Sequence, residues 1–252
     1  MEISWLEQFI ADVPLDDEWL SVGEQLVLAG MKILKRRADW RLGRWAAKRA
    51  ITAYLELPSD PRQLAAIEIR PAATGAPEVF FDNQPAGISI SLSHRNGTGT
   101  CAVVSPGGVV GCDLELVEPR SDAFVGDYFT AEERGTIGCS SPEQRDCVVT
   151  VLWSAKESAL KALRTGLRVD TRCVSACIHD GPRHAVALGD NSGMRIALAS
   201  REWLPLSVCY EEDQVLAGWW QCIDKLVRTV VSIPAAGPPI ALSMSGRVRP
   251  AL

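Results

Sequence analysis

GCDLELVE, residues 111–118, is the stretch on which the reading of this chain turns. As a strand it places Asp113 and Glu115 on one face, because side chains alternate along extended backbone. Positions two apart on a strand are separated by about 7 Å, so both carboxylates can reach one divalent cation. Roughly forty residues later comes LWSAKESALKAL, residues 152–163, whose spacing as a helix sets Glu157 and Lys161 on a common face. A third oxygen from Glu157 would complete a Mg2+ site with positions left for phosphate and water. The plain alternative is a solvated i,i+4 pair contributing about 0.3–0.5 kcal/mol, beside a strand with one wet face.

Two further blocks lie upstream. SLSH at 91–94 ends an alternating segment, and WRLGRWAAK at 40–48 sits in a strongly basic helical stretch that holds Lys32, Lys35, Arg36, Arg37, Arg41, Arg44, Lys48 and Arg49. Such a stretch is a solvated face, a grip on nucleic-acid backbone or a clamp for a compact polyphosphate, and periodicity alone leaves these open. The chain as a whole carries a formal charge of -5, with a pI near 5.3. A chain acidic overall, with its cations gathered in one short stretch, offers no extended track for nucleic acid.

In this order, the four blocks resemble the signatures of the 4′-phosphopantetheinyl transferase superfamily, specifically its larger, surfactin-synthetase-activating subfamily. Gly111, Asp113, Glu115, Trp153, Lys156, Glu157 and Lys161 fall on motif positions. The resemblance implies transfer of the 4′-phosphopantetheine arm of coenzyme A to a serine of an acyl or peptidyl carrier protein, as in fatty acid, polyketide or nonribosomal peptide synthesis. It implies Mg2+ held by Asp113, Glu115 and Glu157, with Glu157 and Lys161 as catalytic residues. It also implies coenzyme contacts from Arg37, Arg44, Lys48, Ser93, His94 and Lys156. The implied fold is α+β: two similar half-domains with antiparallel sheets and packed helices, related by a pseudo-twofold axis within a monomer. The rival readings are a non-catalytic module that binds coenzyme A or a carrier, and another Mg2+-dependent phosphoryl-transfer enzyme such as a nuclease or phosphatase.

Composition agrees with a soluble globular chain. At 252 residues, 47% hydrophobic and 23% charged, it is long enough for one large domain or two half-size ones with a real core. The acidic N-terminus lacks the basic and apolar regions of a leader, and no apolar run approaches a membrane span. Eight cysteines scattered through apolar stretches read as small core hydrophobes of a cytoplasmic protein. Cys173, Cys177 and His179 have no second cysteine pair to complete a zinc box.

Periodicity predicts a helix over 24–56, with Ile33, Trp40, Ala47, Ile51 and Leu55 on its apolar face. Short strands follow near 66–70, 78–81, 87–93 and 100–105, and the SPGG turn at 105–108 marks a boundary. A second helix is expected over 143–164, then strands near 173–179, 184–188, 194–200, 206–211 and 215–220. This gives a first half-domain, 1–106, on the coenzyme 3′-phosphate side, and a second, 107–225, carrying metal ligands and catalysis. Residues 120–145 read as a surface loop. Residues 226–252, which include IPAAGPPIALSMSGRVRPAL, read as a flexible tail.

Overall fold

The computed structural model describes residues 1–179, 200–211 and 214–243. The first part of the chain forms β1 (Ser4–Phe9), α1 (Val22–Ala29), α2 (Leu34–Tyr54), α3 (Pro61–Ala66), β2 (Ile67–Pro71), β3 (Pro77–Phe81), β4 (Gln84–Pro85), β5 (Ser89–Arg95) and β6 (Thr98–Val104). The second part forms β7 (Val109–Leu116), α4 (Asp122–Tyr128), α5 (Ala131–Cys139), α6 (Pro142–Ala162), β8 (Val174–Ile178), β9 (Ser200–Tyr210), β10 (Gln214–Ile223), β11 (Leu226–Ile233) and β12 (Ile240–Ala241).

The architecture is α+β. One sheet has the order β12-β1-β6-β5 and another β7-β11-β10-β9-β8, with β2-β3-β4 as a small third. Neighbours pair antiparallel except β1 and β12, which run parallel. Every residue of β6 is buried because both faces are covered. Cys101 and Val103 pack with Ala47, Ala50 and Ile51 of α2, while Ala102 and Val104 join Val110, Cys112, Leu114 and Val230 of the second sheet. Helix α6 covers that sheet's outer face, with Val148, Val151, Leu152 and Ala159 in its core.

Gly111 explains how α6 can lie so close. A Cβ at 111 would collide with the Ser158 carbonyl oxygen and the Ala162 amide, so only glycine admits helix backbone against β7 here. The strands β5 and β7 meet where the two sheets adjoin, and side chains rather than a backbone ladder bridge them. Ser91 Oγ accepts from Cys112 N at 2.9 Å and Ser93 Oγ from Leu114 N at 3.1 Å.

Several sequence expectations change. The helix expected over 24–56 is two, α1 and α2, separated around Gly30–Ile33. Ile33 is 64% exposed, and Leu42, Trp45, Ala46 and Ala50 join Ala47 and Ile51 on the buried face. The 120–145 segment contains α4 and α5, each started by a hydroxyl N-cap, Ser121 and Thr130. The N-terminal segment, read only for targeting signals, supplies β1 between β12 and β6.

The tail reading fails at its start. Residues 226–233 are β11, paired with both β7 and β10. Asp224 and Lys225, both at positive φ, make the two-residue hairpin turn, and the β-branched run after it is a buried strand. Beyond it, Ile240 and Ala241 return to β1. The strand expected at 184–188, nearly all of 194–200 and residues 244–252 lie outside the described residues.

Candidate active site

The GxDxE strand and the WSxKE helix meet at Asp113, which is 2% exposed. Its Oδ1 accepts from Ser93 Oγ at 2.9 Å and Lys161 Nζ at 2.7 Å, and its Oδ2 from Ser154 Oγ at 2.9 Å. Lys161 also donates to the Cys112 carbonyl at 2.9 Å. Behind them, Ser154 and Ser158, one helical turn apart, converge on Thr229 Oγ1 at 2.8 and 2.7 Å. Thr229 stands opposite Asp113 in the β7–β11 register.

A cleft of about 390 Å³ opens over this network, lined among others by Arg44, Ser93, His94, Asp113, Glu115, Glu157 and Lys161. Seven residues expected at one site thus converge from α2, β5, β7 and α6. Glu115 lies 3.7 Å from Arg95 Nε and 3.6 Å from Arg120, and its buried Oε2 receives no hydrogen bond among the described residues. Burial, and then the charge of Asp113, raise the Glu115 pKa. The same causes in the same order push the Glu157 carboxyl from the ordinary range up to about 7, with Lys161 and a hydrogen bond from Trp153 pulling the other way. Burial, the largest single influence, disfavours the Lys161 ammonium, but Asp113, Cys112 and Glu157 together outweigh it and the Lys161 pKa is raised. Among the described residues, no three His, Cys, Asp or Glu side chains are gathered closely enough to form a ready-made metal cage.

The cleft adjoins one further cavity, and a second lies one helical turn away along α6. Arg44, Leu92 and Lys161 also line a neighbouring cavity of about 320 Å³ whose walls add Arg70, Arg164, Ser89 and the 74–77 turn. Beyond Glu157, Trp153 forms a wall of a third cavity of about 500 Å³, with Phe124, Tyr128 and Val169. Phe124, Tyr128, Phe129 and Trp153 pack edge-on or tilted, with ring centroids 4.9–6.5 Å apart.

Three expected coenzyme contacts stand elsewhere. Lys48 is fully buried, 2.5 Å from Glu24 Oε2, and donates to the Trp19 and Leu64 carbonyls. Lys156 is likewise fully buried, 2.6 Å from Glu133 and from the Val174 carbonyl. A buried ammonium needs partners for its donors, and protein groups supply them here, three for Lys48 and two for Lys156 among the described residues. Arg37 donates to the Leu28 and Met31 carbonyls at the end of α1. Arg41 likewise holds the carbonyls of Pro14, Leu15 and Asp16, so Arg37, Arg41 and Lys48 are spent internally, while Arg44, 3.5 Å from Glu24, also lines the cleft. The Ser93 hydroxyl, expected to assist His94 toward phosphate, is engaged with Asp113 and Leu114 N.

Sequence reasoning passed over Arg95, Arg120, Ser154, Ser158 and Thr229. The two serines were legible as i,i+4 partners inside WSAKES, whereas Thr229 required recognising LVRTVVSI as a strand.

The buried lysines form a repeated device. Each is the fifteenth residue of a 21-residue helix, in WAAK at 45–48 and WSAK at 153–156. Each pairs with the glutamate of a capping box, Ser21–Glu24 or Thr130–Glu133. The second oxygen of each glutamate accepts from a strand amide, Ile69 N at 3.2 Å or Ala176 N at 2.7 Å.

Sequence comparison points the same way as the geometry. Residues 109–212 match the family model of the 4′-phosphopantetheinyl transferase superfamily. The 4′-phosphopantetheinyl transferase AcpT of Salmonella typhimurium is 26% identical over 128 residues, covering 50% of this chain and 58% of that protein. AcpT of Salmonella typhi is 25% identical over the same extent. The match thus spans little more than half the length of these curated relatives. The matched segment, residues 109–212, is thus similar in sequence to the 4′-phosphopantetheinyl transferase superfamily, and it contains both the GxDxE strand and the WSxKE helix that meet at Asp113.

Proposed function

We propose that this protein transfers the 4′-phosphopantetheine arm of coenzyme A to a serine hydroxyl of an acyl or peptidyl carrier protein, releasing adenosine 3′,5′-bisphosphate. The observation that carries this reading is the convergence of Asp113, Glu115, Glu157 and Lys161 with His94 and Arg44 on one cleft. The adjoining arginine-lined cavity and the separate aromatic cavity suit the two ends of coenzyme A. The arginine-lined cavity offers Arg44, Arg70 and Arg164 to the phosphate-bearing nucleotide, and the aromatic cavity offers an apolar wall to the pantetheine arm.

The residues fit a Mg2+ ion by their chemistry. The donors are hard carboxylate oxygens. Glu115 Oε2 is a buried acceptor that receives no hydrogen bond among the described residues, with Arg95 and Arg120 at ion-pair distance only. Asp113 has about four acceptor positions, of which three are filled, so one remains. Asp113, Glu115 and Glu157 would hold the ion, which when bound supplies charge neutralisation at the pyrophosphate.

The chain's own residues carry the remaining steps. Glu157, near neutrality in its titration, accepts the proton of the attacking serine hydroxyl. Lys161, anchored on Asp113 and the Cys112 carbonyl, directs its ammonium charge at the departing phosphate oxygen. Arg44 and His94 orient the coenzyme phosphates.

We further read the chain as two related half-domains in a monomer, divided near 106–107, with β11 belonging to the second. The duplicated WxAK lysine and capping-box glutamate support that reading.

Mass spectrometry of apo acyl and peptidyl carrier proteins incubated with this protein, coenzyme A and Mg2+ tests the proposal. The expected result is a phosphopantetheine adduct on the carrier serine, abolished by chelating the metal. Coenzyme A binding without an adduct would favour a binding module, and cleavage of nucleic acid under the same conditions would favour a nuclease.

A further inference from the structure

Each carboxylate suited to hold a divalent ion already has a cation beside it. Lys161 lies 2.7 Å from Asp113 and 4.0 Å from Glu157, while Arg95 and Arg120 flank Glu115 at 3.7 and 3.6 Å. Three carboxylates thus face three cations, and the charge that would draw in a divalent ion is balanced in advance. Water does little to weaken that balance at Glu115, whose side chain is 14% exposed.

The two arginines are held off Glu115 by partners of their own. Arg95, the last residue of β5, donates from Nη2 to Glu118 Oε2 at 2.8 Å, and the Arg120 guanidinium lies over the Phe124 ring, 5.1 Å from its centroid. Neither guanidinium closes a hydrogen bond on Glu115 Oε2. That oxygen keeps its lone pairs for a ligand while its charge is already answered.

We propose that Arg95 and Arg120 are positioning residues that make divalent-cation binding conditional on the coenzyme, neutralising Glu115 until a pyrophosphate brings its own negative charge into the cleft. The inference rests on the proposed transfer reaction and adds the way the site is loaded: cation and pyrophosphate are taken together. A divalent ion arriving alone gains little from balanced pairs and is repelled by two guanidinium groups. A pyrophosphate answers the arginines and offers the ion further oxygens, so each ligand must raise the affinity of the other by the same factor. Ordinary solvated ion pairs would produce no such coupling, because water already screens them.

Mn2+ is the probe for the test, titrated into the protein with and without saturating coenzyme A and with no carrier present. Free Mn2+ is read by electron paramagnetic resonance against a coenzyme-only blank, and thermal unfolding checks that each variant is folded. Wild-type affinity for Mn2+ should rise by about tenfold or more when coenzyme A is added. Arg95→Gln and Arg120→Gln should each tighten Mn2+ binding to the coenzyme-free protein by about tenfold and shrink the coupling by a similar factor. Arg95→Lys, which keeps the charge, should stay near the wild type. So should Lys35→Gln, which removes an exposed cation paired with Asp39.

Wild-type Mn2+ binding that is equally tight with and without coenzyme A would overturn the inference, as would glutamine variants whose coenzyme-free affinity is unchanged or weaker. Lys35→Gln or Arg95→Lys matching Arg95→Gln would overturn it too, by reducing the effect to overall charge or to side-chain shape. In each of these cases a wild type that still modifies a carrier leaves the reaction standing. No transfer by the wild type to any carrier would overturn the reaction reading itself, and this inference with it.

Discussion

Asp113 is held by three donors from two elements at once: Ser93 of β5, and Ser154 and Lys161 of α6 at different turns. Its position is fixed before any ligand arrives, which is what a transition-state stabiliser needs. Replacing Asp113 by Asn keeps the shape but removes the charge, and should lower turnover by on the order of a hundredfold or more, measured as carrier modification at saturating Mg2+. Glu157 behaves differently because its environment resists its charge. The folded protein binds that proton more tightly than the unfolded chain, with a pKa of about 7 against an ordinary 4.5. Stability should therefore fall as pH rises from about 4.5 to about 7 and level off above, and Glu157→Gln should remove that loss. Denaturant titrations without divalent ions, at pH 5 and pH 8, should show the variant gaining on the wild type at the higher pH. An equal difference at both values would mean that burial does not move this group.

The elements explain which residues could be read in advance. Asp113, Glu115, Glu157 and Lys161 were legible because local periodicity alone aims them, two apart on a strand and four apart on a helix. Arg37, Lys48 and Lys156 were misassigned because charge on a helix does not say what faces it. That depends on Glu24, Glu133 and the carbonyls of Leu28 and Met31, which arrive from other elements. The capping boxes that supply the glutamates were visible as S-x-x-E at 21–24 and T-x-x-E at 130–133, but nothing local told that they also clamp a lysine. If the buried pairs are structural, Lys48→Met and Lys156→Met should each cost about 3–5 kcal/mol in denaturant unfolding, because each strands a buried carboxylate. KM for coenzyme A should be unchanged in the folded fraction. A selective rise in that KM without loss of stability would return Lys48 to the ligand.

At the scale of the whole molecule, the two sheets share a core of Ile3, Trp5, Ala102, Val104, Val110, Cys112, Leu114 and Val230. Ion pairing between Arg228 of β11 and Glu7 of β1 adds a polar contact across the same junction. The α+β class was legible, since both long helices and most strands carry their own periodic signal. The closing of the molecule was not. The parallel return of β12 onto β1 follows a stretch rich in proline and alanine, whose place depends on partners more than two hundred residues away. The junction also rests on the paired serines of SLSH, so Ser91→Ala and Ser93→Ala should each destabilise by about 1–3 kcal/mol through an unsatisfied buried amide, measured by thermal unfolding. Ser93→Ala should in addition slow turnover, because it frees one side of Asp113.

Those serine contacts give the molecule an internal gauge. The amides of Cys112 and Leu114 belong to one sheet, yet the oxygens that shield them belong to the other. Deuterium uptake at these two positions therefore clocks the parting of the sheets, independently of the unzipping of either one. Coenzyme A seated across the junction should slow that clock, and adenosine 3′,5′-bisphosphate, which lacks the arm, should slow it less.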